Sequence, residues 1–301
     1  MKELKHIKHQ DINFEKWDKT ILSSQYPLVF AQSFYLNATC PQWDALVMGD
    51  YESVFPLTYN VKFGISYLHQ PPFTPQLGVY GEVTPEIEKI FFDNINSNFK
   101  LIEIELNAAN TLQTPFHKPK TTFIIDYKLG YKFNQNTKRN ISKAIENKLS
   151  FVQIPENEIL NLSQIYLNPF LDKGLNLSKQ SIYLFNQLLS SSIKNKNLYS
   201  FKVVDENNKV QAIAHFISNG KHTVYLKGIN FDKEVSLGSM HLLNSSAIQF
   251  FETKCDFFDF GGGSKESLAN FYKGFGALPL LYNALTINKL PWIIKLLSNK
   301  K

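Results

Sequence analysis

The stretch CDFFDFGGGSKESLANFYKGFGA, Cys255 to Ala277, decides how the chain is read. Phe257 to Phe260 is a short apolar run, long enough for a buried strand. Three glycines follow, and from about Lys265 the spacing predicts an amphipathic helix. Lys273 and a Gly-Phe-Gly close the unit at Gly276. A strand, a glycine turn and a helix place backbone amides at a helix start, where an anion or a polar reacting group can sit.

Working outward, a helix is expected over Gly238–Phe251, immediately before this unit. Upstream of it, Leu198–Val204, Lys209–Ile217 and His222–Gly228 read as strands, separated by the polar turns Asp205–Asn208 and Asn219-Gly220. Two helices are expected over Glu156–Leu171 and Ser178–Lys194. A last strand, Leu278–Asn288, precedes a short tail helix with Trp292, Ile293, Ile294 and Leu297 on its apolar face. The first half is an abbreviated version of the same order. Residues 1–40 are expected to be a helical entry anchored by Trp17, Phe30, Phe34 and Tyr35. WDALVMG and YESVFPL, from Trp43 to Leu57, read as a hairpin. Lys62–Tyr80, rich in Pro, Gly and aromatics, is expected to be a rigid extended loop. Thr84 and Pro85 open a helix, and Leu101–Leu106 and Thr121–Tyr127 read as strands. The expected fold class is α/β with mixed sheets (α+β), arranged as two lobes over 1–128 and 129–301.

Composition excludes several classes. Hydrophobic residues make up 44% and charged residues 19%, a globular balance. No apolar run approaches the ~20 residues that span a bilayer, so no transmembrane segment is expected. No signal peptide is expected either, and the expected compartment is the cytoplasm. The two cysteines, Cys40 and Cys255, offer no disulfide framework, and the histidines show no metal-ligand spacing. A formal charge of +6 biases the chain toward anionic partners and falls short of a DNA-binding signature. Arg139 is the only arginine among 32 cationic side chains. With Lys138 it falls in the first turn of a helix expected to start near Asn136 or Thr137, with Ile141, Ala144, Ile145 and Leu149 as its stripe. Cations there oppose the helix dipole, a mismatch that an anion docked at the helix start would relieve.

Three blocks carry a family resemblance. They are TKRNISKAIENKLSF (Thr137–Phe151), AIAHFISNGKHTVYLKGIN (Ala212–Asn230) and FDFGGGSKESLANFYKGFGA (Phe258–Ala277). The chain resembles the Gcn5-related N-acetyltransferase (GNAT) superfamily, and more closely its FemABX-like branch, in which two such domains sit in tandem. The resemblance covers residues 130–280 by motif and the first lobe by topology. It implies two tandem GNAT-like lobes and an acyltransferase that passes an acyl or aminoacyl group to an amine. It implies aminoacyl-tRNA or acyl-CoA as the donor and an anionic or peptide-like amine as the acceptor. An acetyl-CoA-dependent N-acetyltransferase, or a silent GNAT-fold binding protein, is the alternative. The coenzyme A loop of acetyltransferases, Q/R-x-x-G-x-G/A, corresponds here to Val235-Ser236-Leu237-Gly238-Ser239-Met240. Only Gly238 and Ser239 fit a cofactor cradle, and Met240 would crowd a phosphate.

Acyl transfer needs a group to take the amine proton and donors for charge on the carbonyl oxygen, each able to lower the barrier by ~3 kcal/mol. By the resemblance, Lys273 suits the oxyanion or a donor phosphate, and Tyr272 matches the general acid of many GNAT enzymes. These two are adjacent on one helix, so they point in different directions. Asp259, at the strand end, is a candidate base, though such an aspartate more often caps the following turn. Arg139 and Lys138 would hold a phosphate. Gly261, Gly262 and Gly263 would admit close backbone approach, and Tyr225 and Lys227 would border the acyl site.

Overall fold

A computed structural model describes residues 2–111, 115–163, 179–231 and 237–291. The chain divides into two compact units. One takes the described residues of Met1–Lys120 and Leu281–Lys301, the other Thr121–Leu280. This division differs from the expected lobes at two places. Residues 121–128 go with the second unit because β8 (His117–Asp126) pairs through Ile124–Asp126 with β13 (Phe257–Asp259). Residues from 281 go with the first because β14 (Leu278–Asn288) pairs antiparallel with β7 (Leu101–Glu105), and Leu285 and Ile287 are buried in the first unit's core.

In the first unit, β1 (Leu4–Ile7), β2 (Asp44–Met48), β3 (Ser53–Leu57) and β6 (Tyr80–Gly81) form one sheet in that order. The expected 43–57 hairpin is β2 and β3. The entry expected to be helical holds α1 (Phe14–Ser23) and α2 (Ser33–Thr39), but it opens with the edge strand β1. A second set runs β4 (Tyr59–Lys62), β5 (Ile65–His69), β7 and β14, with β5 parallel to β7. Seven of the nineteen residues of the expected 62–80 loop are therefore strand: Lys62, Ile65–His69 and Tyr80. Helix α3 (Pro85–Asn98) starts as its sequence dictates: the Thr84 hydroxyl accepts the N–H of Ile87, and Pro85 needs no N–H partner.

The second unit is a mixed sheet in the order β8, β13, β12 (His222–Asn230), β11 (Val210–Ser218), β10 (Leu198–Val204) and β9 (Ser150–Gln153). Only the β12–β13 pair within it is parallel. Its helices include α4 (Gln135–Glu146), α5 (Lys179–Lys194), α6 (Ser239–Phe251) and α7 (Glu266–Gly274). Phe201, Phe216 and Phe258 from the sheet share one core with Leu243, Ile248 and Phe251 of α6 and Phe275 beyond α7. Ala144 and Leu149 of the expected α4 stripe join it, whereas Ile145 stands 61% exposed. Residues 156–163 are helical as expected. The rest of that helix expectation, the loop residues Val235 and Ser236, and the tail helix lie outside the described residues.

His215 alternates with Phe216 along β11, so it faces the side of the sheet where Phe185 of α5 rests edge-on against it. The Ser163 hydroxyl donates to the Ile159 carbonyl, so it can only accept from His215 Nε2, 3.2 Å away. Nδ1 must then accept from the Ser200 hydroxyl at 2.8 Å. Burial pushes this neutral imidazole down from the ordinary 6.5 to about 4. The unfolded chain takes up a proton near pH 6.5 that the folded chain refuses until about pH 4. The contribution of His215 to stability is therefore complete above pH 6.5 and is lost as pH falls through this window, by about 3 kcal/mol. Urea denaturation at pH 7 and pH 4.5 measures it. A His215→Gln variant is expected to show the flatter acid limb, and equal slopes would remove His215 as the cause.

Candidate active site

The site begins where two paired strands part. β12 and β13 run parallel through His222–Val224 and Phe257–Asp259, and β12 then continues to Asn230 after β13 has ended. The β11–β12 register skips Leu226, an extra residue that re-aims the side chains beyond it. Against this continuing part of β12 lies a cavity of 340 Å³. Tyr225, Gly228 and Asn230 wall it from β12, Gly238 to His241 from the start of α6, and Leu268, Phe271 and Tyr272 from α7.

Each wall has a local cause. A Cβ on Gly228 would fall 1.6 Å from the Tyr225 hydroxyl oxygen, so only glycine lets that phenol lie along the strand. Gly238 has φ +77° and would put a Cβ 2.2 Å from the Asn140 carbonyl oxygen of α4. Its glycine character thus serves the packing of α6 on α4 and the left-handed turn into the helix. Ser239 is buried and donates its hydroxyl to Asn230 Oδ1 at 3.0 Å. The Met240 side chain lies over Gly228 and occupies part of the cavity wall.

Tyr272 and Lys273 separate as adjacent helical residues must. Tyr272 is buried, stacked on Phe260 at 4.3 Å between ring centres, and lines the cavity. Its hydroxyl has no hydrogen-bond partner among the described residues, and burial, with Asp259 adding to it, pushes the phenol up to about 12. Burial also raises the Tyr225 phenol. Lys273 is exposed, with Nζ 5.7 Å from the centre of the Phe123 ring, and does not line the cavity.

Asp259 is fully buried. Its Oδ1 accepts from the Thr122 hydroxyl at 2.6 Å and from the Gly261 N–H at 2.7 Å, and its Oδ2 lies 3.4 Å from His222 Nε2. This is the turn-capping geometry that the sequence left open beside the base. Two of the three glycines that follow give room to neighbouring protein atoms. A Cβ on Gly261 would meet the Tyr225 carbonyl oxygen at 3.2 Å, and one on Gly263 the Phe123 ring at 2.4 Å, while Gly262 has open space. Lys227 sits opposite His215 in the β11–β12 register and is not among the wall residues. Arg139 and Lys138 are exposed on α4, and Arg139 donates to Asn136 Oδ1 at 3.0 Å.

Sequence reading missed His241. It lines the cavity from the first turn of α6, edge-on to Phe271 at 5.0 Å, and burial lowers its pKa below the ordinary value. Its ring nitrogens have no hydrogen-bond partner among the described residues. A lone histidine ahead of an apolar helix pattern carries no signal that separates it from a packed one. Among the described residues no cluster of three or more His, Cys, Asp or Glu could hold a metal, and no helix is long and apolar enough to cross a membrane.

No family model matches the chain, and no curated protein matches it. Solved structures do. FemX superposes with a TM-score of 0.69 at 11% identity, covering 99% of this chain and 100% of its own. The C-terminal domain of a putative lysylphosphatidylglycerol synthetase from Agrobacterium fabrum gives 0.59 at 10% identity over 95% and 94%. A tandem GNAT protein from the clavulanic acid biosynthesis pathway gives 0.50 at 10% identity over 96% and 99%. At these identities the likeness speaks for the fold alone: two tandem GNAT-like lobes, similar to those of FemX and of the tandem GNAT protein.

Proposed function

We propose that the chain is an acyltransferase of the GNAT/FemABX-like type, passing an acyl or aminoacyl group to an amine in the cytoplasm. One observation carries this reading: the 340 Å³ cavity walled by β12, α6 and α7 brings together a phenol, Tyr272, and an imidazole, His241, neither with a hydrogen-bond partner among the described residues. The amine nitrogen attacks the acyl carbon, a C–N bond forms, and the bond to the leaving oxygen or sulfur breaks. His241, neutral at pH 7 because burial holds its pKa down, takes the amine proton. The Tyr272 phenol, protonated because burial holds it near 12, gives its proton to the leaving group. Solvent returns the proton from the imidazolium to the phenolate. Met240 on the cavity wall supports an aminoacyl-tRNA donor over acyl-CoA, since its bulk opposes a pyrophosphate close to the backbone.

Tyr272→Phe removes one oxygen that has no hydrogen-bond partner among the described residues, so stability should hold while kcat falls about 100-fold or more. His241→Gln should lose a similar factor together with the acid limb of the pH–rate profile. Aminoacyl-tRNAs and acyl-CoAs, offered as donors against a panel of amines, provide the assay. Full turnover by both variants on an identified pair would disprove the assignment.

A further inference from the structure

A second cavity, of 270 Å³, adjoins the first and shares His241 and Phe271 with it. Its other walls are the first turn of α4 and the outward side of α7, with Asn136, Thr137, Ser267 and Asn270 among them. No carboxyl group lines it, and no acidic residue stands in the first turn of α4. The first N–H groups of a helix have no acceptor within the helix, and their partial charge favours an anion. The Asn134 side chain accepts one of them, that of Thr137, at 2.8 Å.

The side chains point the same way. Thr137 is 1% exposed, yet its hydroxyl has no hydrogen-bond partner among the described residues, and the residue borders the cavity. Asn136 Oδ1 accepts from Arg139 at 3.0 Å and from Asn140 at 3.3 Å. That fixes the amide so that its NH₂ is the end left to donate. The sole arginine of the chain is thereby held beside the cavity.

We propose that this second cavity binds the phosphate group of a small phosphorylated amine. Donors from a helix start, a buried hydroxyl and two amides suit a compact oxyanion. At ~30 Å³ per water, 270 Å³ holds roughly nine water volumes, enough for a phosphate and a short chain. A phosphate on α4 sends that chain toward His241, where the first cavity begins. Only the amine end rests on the acyl-transfer reading; the phosphate site does not.

Isothermal titration of the full chain at constant ionic strength tests the proposal, without any acyl donor. The probes are inorganic phosphate, O-phosphoethanolamine and ethanolamine. Saturable binding of the first two is expected, tighter for O-phosphoethanolamine, with none for ethanolamine. Asn270→Asp and Ser267→Asp, which put a carboxyl into the cavity from exposed positions, should each weaken phosphate at least tenfold. Lys118→Gln, an exposed lysine in the other unit, should bind as the native chain does. Absence of saturable binding, or native affinity in both cavity variants, overturns the site. Equal affinity for phosphate and O-phosphoethanolamine overturns the amine end. Acyl transfer to unphosphorylated amines, assayed separately, would stand or fall independently of either result.

Discussion

Asp259→Ala is expected to destabilise the second unit by about 3 kcal/mol, because the buried Thr122 hydroxyl and Gly261 N–H would both lose their acceptor. Asp259→Asn keeps an oxygen for both donors and should lose less than half as much. Urea denaturation followed by far-UV circular dichroism measures the two variants. A catalytic base behaves differently: its removal leaves the fold intact and stops turnover. Native stability in Asp259→Ala, with activity abolished, would return Asp259 to the role of base. The expected ordering follows from position. A carboxyl group with no exposed surface and three polar neighbours holds the start of a glycine turn, and no substrate amine can reach it.

Gly238→Ala is expected to cost a similar amount, about 3 kcal/mol, from two sources that add. The left-handed φ of +77° strains any side chain, and the new Cβ would stand 2.2 Å from a backbone oxygen of α4 that cannot swing aside. Gly220→Ala separates the two. Gly220 has φ +83° with nothing within 4 Å of its Cβ position, so it should lose only about 1 kcal/mol. Equal losses would mean that the contact between α6 and α4 does not constrain position 238. The larger loss also predicts a functional effect, since moving α6 off α4 displaces Ser239 and His241 from the cavity wall.

Much of the secondary structure was legible because its signals are local. The Thr84-Pro85 cap, the strict alternation of Leu101–Leu106 and the turn at Asn219-Gly220 each need only a few neighbouring residues, and the structure has α3, β7 and the β11–β12 pair there. Of the strands that escaped notice, β1 and β9 lie at sheet edges and bury little on either face, so their sequences carry no strong period. β5 was hidden by the prolines and glycines around it. Ile145 satisfied the helical period of α4 and still faces outward, since a periodic pattern does not specify how wide a stripe the neighbours cover.

For the site, the motif resemblance named elements that wall the cavity and side chains of which only some line it. Tyr272, Tyr225, Gly238 and Ser239 line the cavity; Lys273, Asp259 and Lys227 do not. Adjacent residues on a helix differ by about 100° in direction, so the choice between Tyr272 and Lys273 depends on which side of α7 meets the sheet. By itself the sequence determined the kinds of elements, their order and the strand–glycine–helix unit at Cys255–Ala277, because periodicity, caps and turns act over a few residues. The tertiary structure alone decided which of those side chains meet. The parting of β12 from β13, the seating of α6 on α4 and the meeting of His241 with Tyr272 at one cavity all come from pairings between residues far apart in the chain, and no local pattern encodes them.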